Sequence, residues 1–441
     1  MSGGEPLKLS DRISIPSLIG VRIFRSIAAG LINITFPYII LVELYHNSHQ
    51  GSLILGFIYT LAAIATAVLG LSLGFSADLI GKKITFLIAL LLLPFSVILL
   101  GYATSSIQSL PLIFLAASVG GFSATGSLAG GGVGGAAGPI QSLLVTEITK
   151  RSSRTFYFSI FSFVSALASA AGAFIAGLLS ITDVLTIATV MGFISTFLAL
   201  LVRIPKPDTT VSEIGPQKEE NADAHIFDPP SETKHEERPP LGRIWMGSAR
   251  NIGKFTATGM LNGISQGLVA PFLIPFFIIV YAIPRPEMAT YATISGVAGA
   301  FALLLAPRIE RALGFLKGLM ITRALSAVLV LAMAFIRLLP VSLGIYFLIP
   351  PLRTLGMPMQ QTAMMDMVDR KERGRAFGIN QSARLGASSA GTAFAGYEFN
   401  LSEIEVPFVL YALVLGMNVY LYYTFFSSYR PPPETLSGPE E

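Results

Sequence analysis

Apolar runs of about 20 residues recur along this chain, each long enough to cross a bilayer as a helix. No other feature limits the fold as much. Inside hydrocarbon every backbone N–H and C=O must find a partner within the protein, which leaves helices or a closed barrel. The runs are continuous and do not alternate, so they predict helices. Composition agrees: 52% of the 441 residues are hydrophobic and 13% are Asp, Glu, Lys or Arg, against roughly 25% charged in an ordinary soluble domain. Too little polar surface remains to cover a soluble globule of this size. The predicted class is an all-α membrane protein whose solvent partner is the lipid bilayer. The net charge of +4 does not mark a nucleic-acid binder, because the basic residues sit in short clusters between apolar runs. The absence of cysteine excludes disulfides and thiolate metal sites. The first fourteen residues lack the pattern of a cleaved signal, so the first helix is expected to insert and stay.

Twelve spans are predicted, at about 17–43, 53–73, 84–102, 111–147, 156–180, 184–203, 251–281, 288–306, 316–337, 341–366, 376–398 and 405–427. Between the sixth and seventh, residues 206–240 hold nine acidic and four basic residues among prolines and polar side chains. That composition predicts a solvated, disordered linker. The expected domains are 1–205, a linker over 206–243, 244–430, and a tail over 431–441. His225 and His235 lie in the linker without metal-ligand spacing, and neither a metal nor a cofactor is expected. Lys and Arg gather in alternate loops: Lys82 and Lys83; Lys150, Arg151 and Arg154; Arg308, Arg311 and Lys317; Arg370, Lys371, Arg373 and Arg375. By the positive-inside bias these loops, the linker and both termini are cytoplasmic, in a cell membrane.

The chain also repeats itself. Residues 139–177 align without a gap onto 358–396 at an offset of 219, with twelve of 39 positions identical. Pro139/Pro358, Gln141/Gln360, Arg151/Arg370, Arg154/Arg373 and Phe158/Phe377 are the informative pairs, and Glu147 stands opposite Asp366. The fourth and fifth spans therefore correspond to the tenth and eleventh. Two pseudo-symmetric six-helix bundles in parallel repeat place a ligand site on the axis between them.

After the second span stands Gly74-Phe-Ser-Ala-Asp78-Leu-Ile-Gly81-Lys82-Lys83. It resembles the signature loop of the major facilitator superfamily, and lies in the loop where that family keeps it. Leu79 departs from the usual basic residue. The second-half loop, with Arg308, Glu310, Arg311, Gly314 and Lys317, is degenerate. The resemblance implies the superfamily's fold over nearly the whole chain. It also implies a cytoplasmic latch, formed in the outward-facing state by Gly74, Asp78, Gly81, Lys82, Lys83, Glu147 and Arg154. Asp366, Arg373 and Lys317 would mirror it. On physical grounds Asp78 can favour the positive end of a neighbouring helix, and Lys82 and Lys83 can pair with Glu147. The alternative is that these basic residues hold topology and nothing more.

Ionisable residues at mid-depth are costly and mark function by default. Arg353 lies about ten residues into the tenth span and Arg384 about nine into the eleventh, roughly 15 Å deep at 1.5 Å per residue. Arg22, Arg25 and Arg323 are expected to be shallower and to snorkel. No carboxylate is equally central; Glu43, Glu398, Glu147 and Asp366 sit near span ends. Two central guanidiniums without a central acid point to an anionic substrate. The competing reading is that Arg353 satisfies backbone carbonyls freed by Pro350 and Pro351. In the seventh span Lys254, Thr258, Asn262 and Gln266 form a polar stripe beside a glycine stripe, Gly259, Gly263 and Gly267. The polar stripe faces either a cavity or a neighbouring helix. Asn33, Asn380 and Gln381 complete the candidate substrate contacts. The glycine-rich stretch 120–138 carries about 14 residues with no second-half counterpart; a break in the fourth helix, a bulge and an outer extension all fit.

The expected function is alternating-access transport of a small solute, an organic or inorganic anion, by a monomer. An exporter of amphipathic compounds is the alternative within the class, and a transporter-like receptor the alternative outside it. Catalysis is not expected: no nucleophile motif, metal cluster or paired carboxylate lies at depth. Glu43 is the nearest candidate for carrying a coupling proton, with uniport and counter-ion exchange as alternatives.

Overall fold

The computed structural model describes residues 9–46, 49–104, 109–122, 137, 140–141, 144, 154–202, 249–368 and 373–427. Among them are twelve α-helices and no strand. The first half holds α1 (Leu9–Tyr38), α2 (His49–Leu79), α3 (Lys82–Ala103), α4 (Leu110–Gly120), α5 (Arg154–Leu178) and α6 (Ile181–Leu200). The second holds α7 (Ala249–Val269), α8 (Leu273–Tyr281), α9 (Arg285–Phe335), α10 (Leu339–Met367), α11 (Arg373–Asn400) and α12 (Glu405–Phe426). A 3-10 turn, Ala270–Phe272, joins α7 and α8 into one span, and α9 is two spans bent at Gly314. The predicted linker, 206–243, lies outside the described residues.

Ten stretches are long and apolar enough to cross a membrane. They match ten of the predicted spans. The eleventh, α11, is long enough but too polar; it packs between α7 and α2 and keeps a narrow exposed stripe with Ile379, Phe394 and Tyr397. The fourth span is expected over 111–147, with its glycine-rich stretch open to three readings. Its first helix stops at Gly120, where Gly121 takes a left-handed conformation (φ 60°) that a side chain would resist. A helix end at this point is what the break reading of the glycine-rich stretch requires. Residues 123–136 lie outside the described residues. On α2, Phe57, Leu61, Ile64 and Val68 are 45–56% exposed and form one stripe, an apolar face suited to lipid.

Local chemistry accounts for the ends. Ser180 caps α6 by accepting from the Asp183 N–H at 3.2 Å, and Asp183 favours that helix's positive end. Pro37 removes a backbone donor near the end of α1, and the helix relaxes into a π turn over Ile39–Leu44. Gly81 and Gly314 both have positive φ, 93° and 75°. They stand at equivalent turns, since 314 − 81 = 233. The second-half loop lost most of the motif and kept the one residue its backbone requires.

The repeat is visible in the packing. A Cβ added at Gly30 would lie 2.0 Å from the Ser169 carbonyl oxygen, and one at Gly267 would lie 2.0 Å from that of Ser388. Gly172 against Ile27 and Gly391 against Ile264 repeat the same crossing. So α1 crosses α5 as α7 crosses α11, with 267 − 30 = 237 and 388 − 169 = 219. Only glycine permits backbones to approach so closely.

The two halves meet in the same paired manner. Gly56 abuts Gly396, and Thr60 Oγ1 donates to the Ser389 carbonyl at 3.3 Å. At the equivalent positions Ala289 abuts Gly177, and Thr293 Oγ1 donates to the Ala170 carbonyl at 3.2 Å. All these contacts lie toward one end of the bundle, called here the far face. The other end, which carries Lys82, Lys83 and Lys317, is called the basic face. At the far face one continuous apolar core runs through both halves and joins Phe36, Leu55 and Leu93 to Phe272, Phe276 and Phe408. Toward the basic face the core divides. One part is confined to the first half around Val21, Phe86 and Phe161, the other to the second around Phe255, Leu319 and Tyr422. Gly378 lies on the same side of α11 as Gly396, five turns away, yet a Cβ there would meet nothing within 4 Å. Gly70 on α2 is equally open. The halves are closed together at the far face and diverge toward the basic face.

Candidate functional site

At mid-depth the second half gathers three arginines. Arg384, 9% exposed, donates from Nη1 to Gln266 Oε1 at 2.9 Å, and from Nε and Nη2 to Gln381 Oε1 at 3.3 and 3.2 Å. The α7–α11 crossing sets this geometry: Gly263 sits against the Arg384 backbone, which brings α11 close enough for Gln266 to reach the guanidinium. Arg323 was expected to snorkel to the surface. It is instead buried, because it finds its partners inside. It donates to Asn418 Oδ1 and, at 2.9 Å, to Gln360 Oε1, with its guanidinium carbon 4.6 Å from the Tyr422 ring centre. Asn418 in turn donates to the Thr258 carbonyl at 2.6 Å. α7, α9, α10 and α12 are thereby tied through one buried cation.

Arg353 differs. Its Nε and Nη2 are buried and have no hydrogen-bond partner among the described residues. These two atoms form one edge of the planar guanidinium, the edge that matches a carboxylate or phosphate bidentately. The carbonyls freed by Pro350 and Pro351 therefore do not satisfy it. Gln266 links Arg353 to Arg384, since Gln266 lines the Arg353 cavity and accepts from Arg384 at 2.9 Å. Arg353 shares a cavity of about 30 Å³ with Asn262, Gln266, Arg323, Gln360 and Tyr411. That is room for about one water. Leu352 and Leu415 supply the apolar part of the cavity lining.

The structure therefore brings Arg353, Arg384, Asn262, Gln266 and Gln381 together. Asn380 is not with them: it donates to the Phe255 carbonyl at 2.6 Å and ties α11 to α7. Asn33 is exposed in the first half, although Ile32, Ile34, Thr35 and Phe36 around it are buried. The polar stripe of α7 divides between the two readings. Asn262 and Gln266 line the cavity, whereas Lys254 donates to the Phe425 carbonyl at 3.1 Å and the Thr258 hydroxyl turns back on its own helix, donating to the Lys254 and Phe255 carbonyls. Arg22 and Arg25, also expected to snorkel, are 8% and 7% exposed. Arg22 Nη1 donates to Gln141 Oε1 at 3.4 Å. Sequence reasoning missed Arg323, Gln360, Asn418 and Tyr411 as cavity or support residues. The signals were present: Gln360 is a repeat position, and Asn418 is an isolated amide within an apolar span. Among the described residues the buried charged side chains at depth are arginines, with no buried carboxylate beside them.

Of the latch residues, Glu147 lies outside the described residues, as do the side chains of Gly74, Asp78, Arg154, Asp366 and Arg373. Lys83 Nζ donates at 2.8 Å to the Leu200 carbonyl, at the negative end of α6. The far face has its own ties between halves. Tyr38 Oη donates to the Ile283 carbonyl at 2.7 Å, and the Arg285 guanidinium donates to the Leu179 carbonyl. Outside these ties, Glu43, Tyr38 and Arg285 line a depression of about 650 Å³. The joined apolar core separates it from the arginines.

A family model, the Major Facilitator Superfamily, matches residues 18–392. No curated protein sequence matches the chain. Its fold is similar to a bacterial homologue of the human lysosomal transporter Spinster in an inward-facing, unoccupied conformation: TM-score 0.67 at 12% identity, covering 96% of this chain and 97% of that one. A D-xylose–proton symporter gives 0.70 at 12% identity, over 94% and 97%. The human organic anion transporter TETRAN gives 0.61 at 14% identity, over 95% and 100%. With the family model covering most of its length, two matched helical halves and a polar site buried between apolar spans, this chain belongs to the major facilitator superfamily of membrane transporters.

Proposed function

We propose that the protein carries a small anion across a cell membrane by alternating access, with Arg353 and Arg384 as the principal contacts. The observation that carries this reading is the buried, unpartnered Nε–Nη2 edge of Arg353. A buried guanidinium left without partners costs several kcal/mol. An anion offsets that cost with two charge-assisted hydrogen bonds, and a lipophilic cation cannot. Gln266 and Gln381 hold Arg384 in place beside it, and Asn262 supplies a neutral hydrogen-bonding group. In this reading the basic face is cytoplasmic, as the loop charges favour, and the form described is open to the cytoplasm. The Asp78 loop latches the opposite, outward-facing state. That latch requires Asp78→Asn to insert normally but transport poorly, and wild-type transport by this variant would remove it.

The anion reading is tested by thermal unfolding of the purified protein against a panel of small carboxylates, inorganic phosphate and lipophilic cations, since a bound ligand raises apparent stability. Stabilisation by anions that disappears in Arg353→Ala is expected. Stabilisation by cations alone would overturn the reading.

A further inference from the structure

The second half pairs a tied arginine with an open one. Arg323 is held by Gln360, and Arg353 keeps an unpartnered edge. The first half holds a related pair, in which the open arginine leaves a single buried atom, and not a whole edge, without a partner. Arg22 is held by Gln141, the repeat partner of Gln360. Arg25, 7% exposed, has a buried Nη1 with no partner among the described residues. Position supports the parallel. The crossings Ile27–Gly172 and Ile264–Gly391 relate α1 to α7 by 264 − 27 = 237. Applied to Arg25, this offset gives 25 + 237 = 262, and Asn262 lines the cavity of Arg353. Arg25 thus occupies, in the first half, the position whose second-half counterpart faces the site.

Depth agrees as well. Arg25 is 13 residues from Tyr38, Arg384 is 12 from Gly396, and Arg353 is 14 from Leu339. At 1.5 Å per residue these are about 20, 18 and 21 Å along the respective helices. Each open guanidinium thus lies several turns inside its own span.

The geometry points to a second anion subsite at Arg25, so that the substrate carries two anionic groups, one held by each half. This rests on the anion reading above. A ligand gripped by one half alone gives no free energy for drawing the halves together, whereas a dianion neutralises buried charge on both.

The test uses the purified full-length protein and two series of probes: linear monocarboxylates, and linear dicarboxylates of increasing chain length. Binding is read by calorimetry and thermal shift. Wild type is expected to favour dicarboxylates of one chain length by about tenfold or more, the scale of one added charge-assisted contact. Arg25→Gln is expected to abolish that preference while monocarboxylate affinity stays the same, and Arg25→Lys to keep part of it. If Arg25→Gln does not fold, Arg25→Lys and the wild-type chain-length profile decide. Absence of binding by every anion sinks the anion reading itself. Anion binding without preference for two charges, or a preference that survives Arg25→Gln, overturns the Arg25 subsite alone.

Discussion

Arg323 and Arg353 line one cavity at similar depth, yet one is fully partnered and the other is not. Asn418, Gln360 and the Tyr422 ring surround Arg323, and four helices depend on those contacts. Arg353 keeps its bidentate edge open. Burying a guanidinium costs the same in either place, so the difference lies in what repays it. For Arg323 the partners are built in, and the residue is structural. For Arg353 they are not, and the partner has to come from outside. Sequence alone counts both as intramembrane arginines; only their surroundings separate them.

The largest expected effect follows from the open edge. Arg353→Ala removes two charge-assisted hydrogen bonds to a bound anion, each worth about 1.5–3 kcal/mol. Anion affinity should fall about 100-fold or more, while the ligand-free protein should unfold no more easily than wild type and gain stability, because an uncompensated buried charge is removed. Retained affinity, measured by calorimetry, would place the anion elsewhere. Arg323→Ala should show the reverse. It strands the Asn418 and Gln360 amides in the core and costs about 2 kcal/mol of stability. A melting temperature equal to that of wild type would contradict the structural role. Gln381→Ala should be mildest, since Gln266 still holds Arg384 through Nη1. A loss of a few-fold in affinity is expected, and a loss as large as that of Arg353→Ala would mean Gln381 itself touches the anion.

Much of the fold was legible in the sequence because lipid imposes few solutions. Spans follow from length and hydropathy, and the repeat at offset 219 makes α11 the counterpart of α5. The glycine stripe of α7 marked a packing face, and the structure sets α11 against it. Depth was legible for Arg353 and Arg384 but misjudged for Arg22, Arg25 and Arg323. Snorkelling follows from distance to the span end, whereas Gln141 supplies Arg22, and Gln360 and Asn418 supply Arg323, with partners from helices distant in sequence. Asn380 was misjudged for the same reason: its position on α11 is near the site, but its amide turns to the Phe255 carbonyl. Partner identity between helices is set by crossing geometry, and a hydropathy pattern carries no trace of it. The break after Gly120 was one of three open readings, because a glycine run permits a left-handed residue without requiring one.

The central claim, that the open guanidinium of Arg353 serves an anionic substrate moved across the membrane, is tested most directly by uptake into proteoliposomes. Wild type and Arg353→Ala, reconstituted in equal amounts, would be assayed with radiolabelled mono- and dicarboxylates and with a labelled lipophilic cation. The account predicts saturable uptake of an anion by wild type and its loss in Arg353→Ala. Saturable uptake of the cation, or anion uptake equal in the two proteins, would contradict it.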